Sequence, residues 1–269
     1  MTTSTTQQAV DWEKAAQRWK QAETRTAAVS KAIVDHMPGL SAGDLLLDLA
    51  CGSGEPGTSI QAANPGSRLL GIDSAEAMVS AARARSAGES RVDAEFEVMN
   101  MADLAIDTAS VDAMTSRFGF LSLENTADEA ARVMKPGAPF AFAVWDGTAL
   151  NRLLAVVSRT VSRRIGRHVF PPLLDMDALA SSGGRDTWLH DAGMSTVQST
   201  QFLWTFKLPD QQSLFDVFHD VPIGPVFDGL AEATQEEIRA EAVEELAPHR
   251  DEDGGYTLPN VCRIYWGTR

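Results

Sequence analysis

Short apolar runs alternate with stretches of helical periodicity along most of this chain. From Leu45 the pattern predicts strand 45–49, helix 55–63, strand 67–72, helix 75–87, strand 94–99, strand 110–115, helix 125–134 and strand 139–145. Such alternation implies a parallel sheet covered by helices on both faces. Upstream, Trp12, Ala15, Ala16 and Trp19 share one helical face, which predicts one or two amphipathic helices over 10–36, ending near Pro38-Gly39. After Trp145 the alternation loosens. A helical stretch at 148–164, the turn Phe170-Pro171-Pro172 and the breaker Ser181-Ser182-Gly183-Gly184 read as an insertion, before a helix at 186–192 and alternating residues from Ser195 to Phe206 resume the sheet. Helices are expected at Gln211–His219 and Thr234–Leu246, and a closing strand at Tyr256–Trp266. This divides the chain into a helical cap (1–38), a core (39–146), an insertion (147–185), a core continuation (186–208), a second helical insertion (209–250) and a closing strand (251–269).

Charge and cysteine content narrow the partners. A formal net charge of -14 argues against nucleic-acid binding, which needs clustered basic residues. Only Cys51 and Cys262 are present, too few for a disulfide framework and without the paired spacing of a structural metal site. Neither a basic, apolar leader nor an apolar run of about eighteen residues is seen. The expectation is a cytoplasmic protein, monomer or homodimer, acting on a small molecule, with no metal, membrane or nucleic-acid partner.

The chemistry concentrates in Asp48-Leu49-Ala50-Cys51-Gly52-Ser53-Gly54-Glu55-Pro56-Gly57, which follows a predicted strand and opens a predicted helix. Glycines let the backbone turn tightly and approach a ligand, and the first amides of the helix point toward it. Gly52, Gly54 and Gly57 also satisfy G-x-G-x-x-G, so the loop alone fits a dinucleotide equally well. Asp48 shifts the balance. A pyrophosphate gains nothing from a carboxylate there, whereas a ligand carrying an ammonium and a sulfonium does. Asp73 ends the next strand, 19 residues beyond Gly54, where a carboxylate can accept two ribose hydroxyls under either reading.

The run Leu45-Leu46-Leu47-Asp48-Leu49-Ala50-Cys51-Gly52-Ser53-Gly54 resembles the first motif of class I S-adenosylmethionine-dependent methyltransferases, especially those similar to ubiquinone and menaquinone methyltransferases. Gly71-Ile72-Asp73-Ser74 through Met78 resembles the second motif, and Asn100-Met101-Ala102-Asp103-Leu104 the segment that holds adenine. Ser116-Arg117-Phe118-Gly119 and Arg132-Val133-Met134-Lys135-Pro136-Gly137 resemble the end of the fourth strand and the turn before the fifth. Two departures stand out, Ala50 for a frequent glycine and Asn100 for a frequent aspartate. The resemblance implies an α/β fold with a Rossmann-like doubly wound sheet, mostly parallel with an antiparallel last strand, helical lids after strands five and six, and N-terminal helices. It implies S-adenosyl-L-methionine as cofactor, contacted by Asp48, Ala50, Gly52, Ser53, Gly54, Asp73, Ser74, Met78, Asn100, Met101, Ala102 and the backbone near Arg117. Outside 45–145 the likeness is diffuse and implies nothing about the acceptor.

From topology, the insertions and N-terminal helices are expected to roof an acceptor pocket at the carboxyl ends of the strands, with Trp19, Phe118, Phe120, Trp145 and Phe218 as walls. His219, assisted by Asp220, is the expected side-chain base, with His168 second; the competing reading of His219 is a solvent-exposed helix end. Cys51 reads as a small buried residue, and His36 and His190 as structural. The expected reaction is methyl transfer to an O, N or C atom of a small molecule. The alternatives are an S-adenosylmethionine-binding protein that does not methylate and an NAD-dependent oxidoreductase.

Overall fold

The computed structural model describes residue 16 and residues 19–89, 93–120, 125–147, 150–166, 184–220 and 224–269. In chain order these form α1 (Trp19–His36), β1 (Leu45–Leu49), α2 (Gly57–Ala63), β2 (Arg68–Asp73), α3 (Glu76–Gly88), β3 (Ala94–Val98), β4 (Ala113–Arg117), α4 (Thr126–Val133) and β5 (Pro139–Trp145). Then follow α5 (Arg152–Ile165), α6 (Gly184–Asp191), β6 (Thr196–Leu208), α7 (Gln211–Asp220), α8 (Gly224–Asp228), α9 (Glu232–Glu245) and β7 (Tyr256–Thr268). Trp12, His168 and the Phe170-Pro171-Pro172 turn lie outside the described residues.

The seven strands run β3-β2-β1-β4-β5-β7-β6, parallel through β5, with β7 antiparallel to both its neighbours. This is the Rossmann-like, mostly parallel sheet expected. Two details differ from the sequence pattern. The fourth strand begins at Ala113, because Val111 makes an isolated bridge to Met134 instead of joining the sheet. A short helix, α8, that the pattern did not mark stands at Gly224–Asp228; a Cβ at Gly224 would come within 2.1 Å of the His219 carbonyl oxygen, so only glycine lets the start of α8 lie this close to the end of α7.

The period of two along the strands sorts the core into faces. In β5, Phe140, Phe142 and Val144 pack with Leu47, Leu49 and the α4 residues on one face, while Ala141 and Ala143 meet Val29 and Ile33 of α1 on the other. Small side chains there let α1 lie close against the sheet. A third cluster joins α5, α7, α8 and α9 to Leu208 of β6 and to Tyr256 and Leu258 of β7. Its position follows from strand length. β7 pairs with β5 only from Cys262 to Thr268, and its earlier residues pair with β6 alone, so the β6–β7 ribbon overhangs the carboxyl end of β5 and carries these helices.

The acidic face of α9 is in part ion-paired: Arg159, Arg163 and Arg164 of α5 meet Glu245, Glu241 and Glu237. Such exposed pairs each contribute about 0–1 kcal/mol and act mainly on register. Asn151 fixes the entry to α5 more firmly. Fully buried, it donates to the carbonyls of Asp146, Gly147 and Val261 at 2.8, 2.8 and 2.9 Å and accepts from the Val261 amide at 2.9 Å. Asn151→Ala leaves several buried backbone groups unpaired and is expected to destabilise the protein by roughly 3 kcal/mol, measured by urea denaturation. A loss below about 1 kcal/mol contradicts this role.

Candidate functional site

The strand order reverses between β1 and β4, the place where open α/β sheets bind ligands. The two loops leaving these strands touch. Ala50 and Phe118 have left-handed backbones, at φ 54° and 67°, and a Cβ on Gly119 would fall 2.1 Å from that of Ala50. Ser116 ties them together, its hydroxyl donating to the Leu49 carbonyl at 2.7 Å and accepting from the Phe120 amide at 3.0 Å. Gly52 and Gly54 continue the loop at φ 53° and 105°.

Asp48 is the anomaly in an otherwise apolar strand. It is fully buried, and its Oδ2 accepts from the Gly57 amide at 2.9 Å. Gly57 has to lack a side chain, since a Cβ there would approach that oxygen to 2.7 Å and Leu69 to 2.8 Å. Oδ1 has no hydrogen-bond partner. Burial pushes the Asp48 carboxyl up to about 8, opposed by the Gly57 amide and the Arg117 charge and reinforced by Glu55 and Asp73. Arg117 is itself buried, donating to Ser30 Oγ at 2.6 Å, and burial lowers its pKa despite the nearby acids Glu23, Glu55 and Asp48.

Asp73 links the glycine loop to the end of β2, its Oδ2 accepting from the Gly52 amide at 2.9 Å and its Oδ1 from the Ala75 amide at 3.0 Å. Ser74 is exposed at this end and Met78 is buried beneath it. On the next loop Asn100 accepts from the Ala102 amide at 3.0 Å, and Met101 is half-buried against the main core.

Residues without a motif complete the site. Glu23 of α1 receives Arg85 Nη2 and the Ser53 hydroxyl, each at 2.5 Å, while Arg85 Nη1 donates to the Ser53 carbonyl at 3.2 Å. The Trp19 indole lies over the same loop, its Nε1 3.2 Å from where a Cβ on Gly52 would be. Beyond it, Phe118 stacks on Trp145 at 4.1 Å, and Trp145 meets Trp204, whose Nε1 donates to the Arg25 carbonyl at 3.0 Å.

Several expectations are corrected. Phe120 packs edge-on to Phe142 in the core, and Phe218 packs on Phe227 beneath α7; at 1% and 0% exposure neither can form a pocket wall in this conformation. Asp220 pairs with Arg25 of α1 at 2.5 Å and does not assist His219. The partner of His219 is Asp228, on Nδ1 at 2.5 Å, while Nε2 faces Arg239 Nη2 at 3.3 Å. Both ring nitrogens are engaged, so in this arrangement the histidine has no vacant nitrogen with which to take a proton. Cys51 is buried with its thiol pushed up by burial, Asp48 and Asp73, which suits packing and not nucleophilic chemistry. His36 and His190 cap local carbonyls, Ala32 at 2.7 Å and Met194 at 3.0 Å. Among the described residues no group of His, Cys, Asp and Glu could hold a metal ion, and no helix is long and apolar enough to cross a membrane.

Residues 46–137 match the family model described as a methyltransferase domain. The chain is 35% identical over 124 residues to a demethylmenaquinone methyltransferase of Clavibacter sepedonicus, covering 45% of this chain and 44% of that protein. It is 30% identical over 227 residues to an uncharacterized 37.1 kDa protein of a Streptomyces fradiae transposon, covering 81% and 58%. The chain thus spans about half the length of these relatives. Among solved structures, the YcgJ protein of Bacillus subtilis has the same fold, with a TM-score of 0.61 at 14% identity over 90% of this chain and 98% of that one. Over residues 46–137 the chain is thus similar to methyltransferase domains.

The Asp48 environment has a pH signature. Its folded pKa of about 8 exceeds the ordinary value of 3.8, so between these the folded protein holds a proton that the unfolded chain releases. Stability from this group therefore falls as pH rises from about 4 to about 8 and is level above. Asp48→Asn removes the titration, so its stability relative to the unaltered protein is expected to rise across that window, read from urea denaturation at about pH 5, 7 and 9. A difference independent of pH contradicts the assignment.

Proposed function

We propose that this chain is an enzyme that transfers a methyl group from S-adenosylmethionine to an O, N or C atom of a small molecule by in-line displacement. The observation that carries the reading is the left-handed glycine loop at the point where the strand order reverses, opened by the buried acid Asp48 and tied to Asp73 at the end of the next strand. The acids Glu23 and Asp73, both bonded to this loop, favour a ligand end carrying positive charge over a pyrophosphate. When bound, S-adenosylmethionine supplies a methyl group on a sulfonium, already activated for transfer.

The chain's own residues then bind and orient. Gly52 and Gly54 line the methionine end with Ser53 and Ala50, and Arg117 lies below as a fixed positive charge. Asp73 accepts the ribose hydroxyls, Met101 packs on the adenine ring, and Asn100 and Ala102 border its edge, with Ser74 and Met78 framing the sugar side. Phe118 and Trp145, half-exposed and stacked at the ends of β4 and β5, with Trp19 opposite, form an apolar acceptor wall that excludes water. The nucleophile's lone pair forms the new bond to carbon as the bond to sulfur breaks and its electrons stay on sulfur. With His219 held between Asp228 and Arg239, an acceptor proton leaves to solvent before or after transfer, and alignment accounts for the catalysis.

The test is incubation with methyl-labelled S-adenosylmethionine and a panel of phenols, amines, carboxylates and quinols, followed by mass spectrometry. A product heavier by one methyl, with release of S-adenosylhomocysteine, is expected. Binding without transfer to any acceptor indicates a non-methylating protein, and binding of NAD instead overturns the cofactor reading. In the same assay Asp73→Ala is expected to weaken cofactor binding about ten- to a hundredfold, from loss of charge-assisted hydrogen bonds of about 1.5–3 kcal/mol. Unchanged affinity in a folded variant removes Asp73 from the ribose site.

A further inference from the structure

Helix α9 carries six glutamates and a single arginine, Arg239. The three arginines of α5 that meet α9 all take glutamate partners, whereas half-buried Arg239 forms no ion pair among the described residues. Its guanidinium instead lies over two phenyl rings, with Cζ 5.6 Å from the centroid of Phe215 in α7 and 5.4 Å from that of Phe227 in α8. Its polar contacts are both long and both made by Nη2, to His219 Nε2 at 3.3 Å and Gln235 Oε1 at 3.4 Å. Nε is buried without a partner, while Nη1 makes no hydrogen bond and is not enclosed in the same way. A guanidinium has five N–H donors in one plane, so this one is under-satisfied for a charge taken partly out of water. His219 and Asp228 beside it keep 28% and 37% of their side-chain exposure, so the cluster opens at the surface of the roof.

We infer that Arg239 is an anion-binding residue, and that this cluster takes the carboxylate of a small, singly charged organic acid. Phe215 and Phe227 border the guanidinium with apolar surface, so its unused N–H groups need an oxyanion from outside the cluster, and Nη1 is placed to donate to one. Asp228 fixes the direction of the guanidinium through the imidazole. A carboxylate only accepts, so the 2.5 Å contact puts the proton on His219 Nδ1 and turns the Nε2 lone pair toward Arg239 Nη2. The two phenyl rings offer apolar contact to the body of the acid. Local charge sets its class, because Arg239 brings one positive charge into a neighbourhood that already holds Asp228 and the α9 glutamates. A monoanion is attracted there, while a phosphate dianion meets added repulsion. No residue of the glycine loop takes part, so the inference goes beyond the cofactor reading and stands without it.

Ligand-observed NMR and calorimetry with benzoate, its neutral counterpart benzamide and inorganic phosphate test this. The full chain is expected to bind benzoate in preference to both others. Arg239→Gln, which keeps the side-chain stem and removes the charge, is expected to weaken benzoate about ten- to a hundredfold and to change benzamide less than about twofold. Benzoate affinity that is absent, or unchanged by the substitution, overturns the inference, as does an equal loss for benzamide or tighter binding of phosphate than of benzoate. If circular dichroism finds Arg239→Gln unfolded, Arg239→Lys replaces it. Lysine keeps the charge and loses the planar fork, so selective weakening of benzoate is expected, and equal effects on benzoate and benzamide overturn the inference.

Discussion

The carboxylate buried in β1 is the constraint around which this end of the sheet is arranged. A central parallel strand is covered on both faces and normally carries only apolar side chains, so an acid within Leu45–Leu49 needs specific compensation. Gly57 supplies an amide and, by lacking a Cβ, the room to deliver it. Arg117 supplies positive charge from the same face of β4, and Ser30 supplies an acceptor for that buried guanidinium. None of these can be moved independently. The position of α1, the start of α2 and the end of β4 all follow from making one buried oxygen tolerable while leaving the other unmet.

Helix α1 is held to the loop by both packing and charge. Ala141 and Ala143 leave space for Val29 and Ile33, and the Glu23 carboxylate joins the loop's Ser53 to Arg85 of α3. Breaking a largely buried pair of this kind strands a charge, so the arrangement specifies where α1 sits more than it adds net stability. The aromatic row Phe118, Trp145 and Trp204 runs from the loop toward the β6–β7 overhang, with Trp204 anchored to the α1 backbone. Glycine loop, aromatic row and helical roof are therefore mechanically continuous.

Much of this was legible in the sequence wherever function lies in consecutive residues. Asp48 through Gly57 revealed a tight glycine loop at the end of β1, and the alternation of apolar runs revealed the sheet, because backbone geometry and strand burial act locally. Glu23, Ser30, Arg85 and Trp204 were invisible for the opposite reason: their roles arise from contacts such as Arg85 to Glu23, 62 positions apart, and no periodicity records such a meeting. Phe120 and Phe218 misled because an aromatic residue in an insertion or after a strand has the same pattern whether it lines a pocket or fills a core. Gly224 gave no sign in the sequence of its close packing, which sets the start of α8 against the end of α7.

The same close packing decides the chemistry assigned to the histidine. By bringing α8 back to the end of α7, Gly224 places Asp228 on His219 Nδ1, and α9 then presents Arg239 to Nε2. An imidazole that donates to a carboxylate through one nitrogen and faces a guanidinium through the other has no vacant lone pair for an acceptor proton. The ring stands edge-on to Phe227, and Arg239 lies over the same phenyl face, so the cluster is cross-linked within the helical roof. His219 thus stiffens the roof, and under the proposed function methyl transfer would rest on alignment against the aromatic wall, with a neutral thioether leaving group that needs no protonation to depart.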